Sequence, residues 1–179
     1  MRTKTAMVLT AALIGWLMPV QAAETVLLIN CGAEKDYTAA DGRVWKADQP
    51  FSSGRWGYVG GDYVLRDATT IQNTADAFIY LNERYGMTGY RIPLPNGKYT
   101  VKLHFAETFD ELYGEGERVF TVKIDDEPVL ANFDIYKEAK KKYAAVVKML
   151  PVEVKNGELR ITFESQSQSP IINGIEILK

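Results

Sequence analysis

The residues from which this chain could build catalysis are few: a scatter of carboxylates and one histidine, His104. Glycoside hydrolysis needs two carboxyl groups at a set separation across the cleaved bond. Glu83 and Glu107 flank two strand-like runs, with Asp110 and Glu111 close behind, and could form such a pair. An acid catalyst working near neutral pH needs a carboxyl lifted by an apolar pocket, and no pattern singles one out. His104 alternates with the apolar Leu103 and Phe105 and so faces the other side of its strand. As a general base it would need a nucleophile and an orienting partner, which the sequence does not supply. One histidine excludes a His-rich metal site, and no nucleophile elbow, phosphate-cradling glycine loop or zinc spacing is present. Asp125-Asp126-Glu127 reads as a solvated turn. The expectation is no catalytic residue, no metal and no cofactor, with a free-standing glycoside hydrolase as the enzymatic alternative.

Binding is the chemistry that the remaining residues suit. Trp45, Trp56, Tyr58, Tyr63, Tyr80, Tyr85, Tyr90, Phe109 and Tyr113 are more rings than one small core needs in its connections. Strand phase sends Tyr80, Tyr90 and Tyr99 to the core. Tyr63, Tyr85 and Phe109 fall at turns or strand ends, where an exposed ring calls for an explanation. Trp56 and Tyr58 stand next in order. The apolar face of a pyranose needs a ring to lie on, and its hydroxyls need oriented polar partners. Tyr63, Tyr85 and Phe109 are therefore the expected stacking platforms, with Glu107, Asp110 and Gln168 holding hydroxyls. Glu107 is alternatively a buried partner for Arg84. A second class of function, docking of another protein on the loop aromatics, uses the same rings as anchors.

The elements that must position these residues read as strands. Val26 to Asn30 is a short apolar run, Lys98 to Phe105 alternates, and Val119 to Ile124 alternates before a turn at Asp125. Ala144 to Val154 and Leu159 to Phe163 are separated by Asn156-Gly157, a strong hairpin signal. Only Ile135 to Tyr143 looks helical, with Lys140-Lys141-Lys142 on a solvated face. The segment from Asp48 to Asn73 reads as one long aromatic-rich loop. Eight or more short strands with one short helical segment predict an all-β, two-sheet antiparallel sandwich, preferably a jelly roll.

Residues 1–22 combine a basic start, an apolar run from Ala6 to Trp16 and Val20-Gln21-Ala22, the pattern of a cleaved secretory signal peptide. The expected location is periplasmic or secreted, with no membrane span once the leader is removed, and the domain is expected over residues 23–179. Without Arg2 and Lys4, 19 basic residues face 23 acidic ones, a net charge of about −4. No basic stripe remains to attract nucleic acid. Cys31, the one cysteine, follows Val26-Leu27-Leu28-Ile29 and reads as a buried small hydrophobe.

Several short segments, in order and at matching spacing, give the chain a family likeness. Ile29-Asn30-Cys31-Gly32 opens it, followed by Tyr37, Asp41-Gly42 and Trp45-Lys46-Ala47-Asp48. Asn82-Glu83-Arg84-Tyr85-Gly86 and Leu103-His104-Phe105-Ala106-Glu107 come next, then Arg118-Val119-Phe120, Asn132-Phe133-Asp134-Ile135 and Pro170-Ile171-Ile172-Asn173-Gly174-Ile175. From Leu28 to Leu178 the chain resembles the malectin family of carbohydrate-binding domains. That resemblance implies a jelly-roll sandwich like the galactose-binding-domain folds and non-catalytic binding of an oligosaccharide, possibly glucose-containing. It also implies sugar-contacting roles for Tyr85, Phe109 and Tyr63, with Tyr58 a close match. Two departures stand out: Asp110 where the family can carry a second aromatic, and Gln168 where animal members have an aspartate. Gln168 can donate as well as accept, which should alter sugar preference. Related domains are often joined to glycan-degrading enzymes, so the resemblance also makes such an enzyme a conceivable partner in trans.

Overall fold

The computed structural model describes residues 23–67 and 70–179; the expected leader over 1–22 lies outside them. Their strands form two stacked sheets and a small ribbon. The first sheet holds β1 (Thr25–Asn30), β2 (Tyr37–Thr38), β3 (Val44–Ala47), β8 (Gly97–Phe105), β11 (Val146–Val154) and β14 (Gly174–Leu178), in the order β11-β8-β14-β1-β3-β2. The second holds β4 (Gly57–Val59), β7 (Gly89–Pro93), β9 (Val119–Ile124), β10 (Glu127–Phe133) and β12 (Glu158–Ser167), in the order β10-β9-β12-β7-β4. The ribbon joins β5 (Asp62–Leu65), β6 (Asn82–Tyr85) and β13 (Ile171–Ile172) in the order β13-β6-β5. The strand pairings are antiparallel except that of β1 with β3. Two one-turn helices interrupt them, α1 (Ala77–Leu81) and α2 (Ile135–Ala139). This is the all-β sandwich that strand periodicity predicts.

Alternation decides what fills the space between the sheets. Tyr99, Val101, Leu103 and Phe105 of β8 face Phe120, Val122, Ile161, Phe163, Tyr90 and Ile92 of the second sheet, with Ile29, Ile175 and Ile177 beside them. Cys31 lies in this core with no exposure, and burial pushes its thiol well above its ordinary pKa. A second cluster forms on the outer side of the first sheet, where Ile79 and Tyr80 of α1 pack with Trp45. Tyr90 and Tyr99 are buried on their strands, as their phase predicts; Tyr80 is buried as well, but from helix α1 and not from a strand.

Three local expectations differ from what is seen. Asn156-Gly157 does not close a hairpin: β11 pairs with β8 in one sheet, while β12 pairs with β7 and β9 in the other. The turn crosses between sheets and braces the Pro95-Asn96 corner, with Gly157 N–H donating to Asn96 Oδ1 at 2.8 Å. The tight hairpin is β9–β10, where Asp125 and Asp126 take φ of 48° and 72°, the left-handed pair such a turn requires. The segment 48–73 is not one loop, since it contains β4 and β5. The helix expected to Tyr143 stops at Ala139, because Lys140 turns left-handed and donates its N–H to Tyr136 O.

Asn173 ties these parts together. It has no exposure, and each of its polar groups is engaged. Its Oδ1 accepts from Ala106 N–H at 2.7 Å, and its Nδ2 donates to Asn82 O at 2.8 Å and Tyr80 O at 3.1 Å. Its backbone bonds His104 and Cys31. Gly174 follows because a Cβ there would lie 2.9 Å from Trp45 Cζ3. Asn173→Ala strands two carbonyls and one amide in the interior, so unfolding free energy should fall by about 3 kcal/mol. The melting temperature, read by circular dichroism, should drop by on the order of 10 °C. An unchanged melting temperature would contradict this role.

Beside it, Glu176 is buried and accepts from His104 Nε2 at 2.9 Å and from Arg43 Nη1 at 2.7 Å, while Lys102 Nζ lies 3.6 Å away. Burial alone would raise its pKa, but the His104 and Arg43 hydrogen bonds outweigh it and hold the carboxyl at about 2. A depressed carboxyl contributes stability that is complete above its unfolded pKa, near 4.5, and lost as pH falls toward 2. Glu176→Gln should therefore cost stability at pH 7 and narrow its gap to the parent protein across that window. A constant difference from pH 7 to pH 2.5 in urea titrations would contradict it.

Candidate functional site

The ribbon presents two faces. Val64 pairs with Glu83 and Asp62 with Tyr85, so Val64, Arg66, Glu83 and Tyr85 share one side. Tyr63 pairs with Arg84 and Leu65 with Asn82, and these share the other. On the first side opens a cavity of about 300 Å³, lined by those four residues with Phe109, Arg118, Gln168 and Ser169. Arg66 follows β5, Tyr85 ends β6, Phe109 lies just past β8, Arg118 precedes β9 and Gln168 follows β12. The cavity is thus assembled from strand ends at one rim of the sandwich.

Its walls are braced by two buried glutamates, each at 1% exposure. Glu83 Oε1 accepts from Arg66 Nη2 at 3.0 Å, and its Oε2 accepts from Thr108 Oγ1 at 2.9 Å. Glu107 Oε2 accepts from Arg118 Nε at 2.7 Å, and Oε1 accepts from the Phe109 N–H at 3.0 Å. Arg118 also donates through Nη1 to Ser169 O. Phe109 is therefore tied to the Gln168 segment through Glu107 and Arg118, and to β6 through Thr108 and Glu83. Burial pushes the Glu83 carboxyl up, against the pull of Arg66 and Thr108. Left facing the cavity are the half-buried rings of Tyr85 and Phe109, the Arg66 guanidinium 5.6 Å from the Phe109 ring centre, and the exposed Gln168 and Ser169.

Of the residues expected at a site, the fold brings Tyr85, Phe109 and Gln168 to one cavity. Glu107 is adjacent but sealed: its partner is Arg118, not Arg84, and it does not line the space. Arg84 instead donates to Asp48 Oδ2 at 2.5 Å, and burial pushes that carboxyl up. Tyr63 points to the opposite face by strand phase, where its hydroxyl donates to Glu34 at 2.5 Å beside Leu65 and Phe78. Asp110 turns outward to Tyr143 and Lys142, and the Tyr143 hydroxyl holds its carboxyl below the usual range. Tyr58 lies under Arg84, with the guanidinium carbon 3.3 Å from its ring centre, and Trp56 lines a separate depression with Gln49 and Arg55. Arg66 and Ser169 carried no signal in the sequence; Arg118 was visible only as part of Arg-Val-Phe.

Other chemistry is sealed from solvent. Tyr80 Oη lies 2.8 Å from His104 Nδ1, whose Nε2 meets Glu176, which supplies both partners a relay needs. Tyr80 and His104 are 3% and 6% exposed, so no substrate reaches them. Burial, with the Glu176 charge adding to it, lifts the Tyr80 hydroxyl far above the range of a working acid or base. Among the described residues, no group of three or more His, Cys, Asp or Glu is placed to hold a metal ion.

The chain is 32% identical over 159 residues to the kinesin-like protein KIN-14R of Arabidopsis thaliana, covering 87% of this chain and 14% of that protein. It is 30% identical over 160 residues to a probable LRR receptor-like serine/threonine-protein kinase of the same organism, covering 75% and 17%. The chain thus spans only 14% and 17% of the length of these curated relatives. Among solved structures, a β-glucuronidase of Bacteroides uniformis superposes with a TM-score of 0.78 at 31% identity, over 84% of this chain and 18% of that one. The ANXUR1 extracellular domain of Arabidopsis thaliana superposes with a TM-score of 0.72 at 21% identity, over 87% of this chain and 48% of that one, a likeness of fold. The model of the malectin domain matches residues 25–176, nearly all of the described chain, and by that match the chain belongs to the malectin domain family.

Proposed function

We propose that the cavity beside Tyr85 and Phe109 binds a saccharide non-covalently, without turnover. One observation carries the reading: two half-buried rings from different strand ends meet at a cavity whose rim offers Arg66, Gln168 and Ser169. Rings suit the apolar face of a pyranose, and the three polar side chains suit its hydroxyls. The cavity is at the small end of ligand sites, which are roughly 300–1,000 Å³. A site of that size holding one or two sugar residues gives affinities of about micromolar to millimolar.

Absence of turnover follows from the carboxylates. Hydrolysis needs a pair facing the scissile bond, and Glu83 is the one acidic residue lining this cavity among the described residues. Glu107, the second expected member, is held by Arg118. An exported location is part of the proposal, since the leader-like pattern at 1–22 supports it. Among the described residues, no helix is long and apolar enough to cross a membrane. No feature of the described residues points to a glycan-degrading enzyme as partner in trans.

The reading is tested on an oligosaccharide array followed by titration. Phe109→Ala should weaken retention of the bound glycan roughly tenfold, about the worth of a stacked ring. Tyr63→Ala should leave it unchanged, because that ring faces the other side of the ribbon. The reverse outcome would move the site to the Tyr63 face, and release of reducing ends on incubation would replace binding with hydrolysis.

A further inference from the structure

The cavity is not closed at Gln168. Beyond it lies a second space of about 490 Å³, bounded by Thr88, Phe163 and Ser165 and sharing Gln168 and Ser169 with the first. Gly86 borders it, directly after Tyr85. Its φ of +64° favours glycine, and a Cβ there would point into the gap, 3.8 Å from Ser169 Oγ. A side chain there would take up room beside Ser169, which borders both spaces.

The ridge itself is held in an unusual shape. Gln168 is a non-glycine residue at φ 59°. Such a conformation costs about 1 kcal/mol or more and persists where the surroundings over-determine it. Three clamps do so here: Ser165 Oγ donates to Gln168 O, Arg118 Nη1 donates to Ser169 O, and Ser167 Oγ donates to Glu117 O at 2.8 Å. The result is an exposed amide standing between two cavities. Unlike a carboxylate, it can donate to a hydroxyl on one side and accept from one on the other.

We infer that the two spaces form one groove and that the second is a subsite for a further residue of the same saccharide chain, with Gln168 at the crossing. This rests on the reading of the first cavity as a saccharide site. The second space is chemically different. Phe163 is buried at 6% exposure, so no ring lies open for stacking. Thr88, Ser165 and Ser169 supply hydroxyl oxygens instead, so recognition there runs through hydrogen bonds and selects chain length more than ring type.

The test is a nuclear magnetic resonance titration with glucose, maltose, maltotriose and maltotetraose, and with the β1,3-linked glucose series of the same lengths. In at least one series, affinity should rise roughly tenfold from the monosaccharide to the trisaccharide. Amide shifts should spread from Tyr85 and Phe109 to Thr88 and Ser165 as length increases. Thr88→Trp fills the second space from an exposed position, and should cancel the gain with length while leaving glucose binding as it was. Equal affinity at every length, with shifts confined to Tyr85 and Phe109, overturns the subsite and leaves the first cavity standing. A length gain that survives Thr88→Trp also overturns it. No shift at Tyr85 or Phe109 with any sugar overturns the saccharide reading and the subsite together.

Discussion

The architecture depends on one buried asparagine. Asn173 holds Ala106 with its carbonyl oxygen and Tyr80 and Asn82 with its amide, so the end of β8 and the start of β6 cannot drift apart. The residues that follow are Glu107 and Phe109, just past β8, and Glu83 and Tyr85 of β6. A hydrogen-bonded amide in a dry interior is favourable only when every group is matched, and that requirement fixes the geometry. Gly174 then leaves room for Trp45, which closes the outer face over His104.

From that anchor the charged residues act as struts. Glu83 links Arg66 to Thr108, and Glu107 links Arg118 to the Phe109 backbone. Removing one partner of such a buried pair would leave an uncompensated charge, so each strut is held from both ends. On the other face, Asp48 gathers Arg84, Tyr90 and the Gly32 N–H in the same manner. Acids that look catalytic in a list of residues are here the frame of a cavity. The groups left facing that cavity are the rings, one guanidinium and the polar side chains of the Gln168 turn.

Much of the fold was legible because β-sandwich cores obey a period of two. Val101, Leu103 and Phe105 declared their side by alternation, and Tyr90 and Tyr99 were readable as core for the same reason, whereas Tyr80 reaches the core from helix α1. What could not be read was pairing. Asn156-Gly157 has the composition of a hairpin turn but joins strands of different sheets, which only long-range contacts decide. Tyr63 was one residue out of phase with Val64 and Arg66, and a single step in a strand moves a side chain to the opposite face. Asp110 could not reveal that Tyr143, far along the chain, would engage it. Arg66 gave no signal, since a lone arginine after a short strand has the composition of any surface.

The claim at the centre of this account is that Tyr85 and Phe109 face a common ligand. A crystal structure of the protein with a retained oligosaccharide tests it most directly. The account predicts a sugar ring against Tyr85 and Phe109, with hydroxyls at Arg66 and Gln168. A ligand seated instead among Tyr63, Leu65 and Phe78, with the Phe109 cavity holding none, would contradict it.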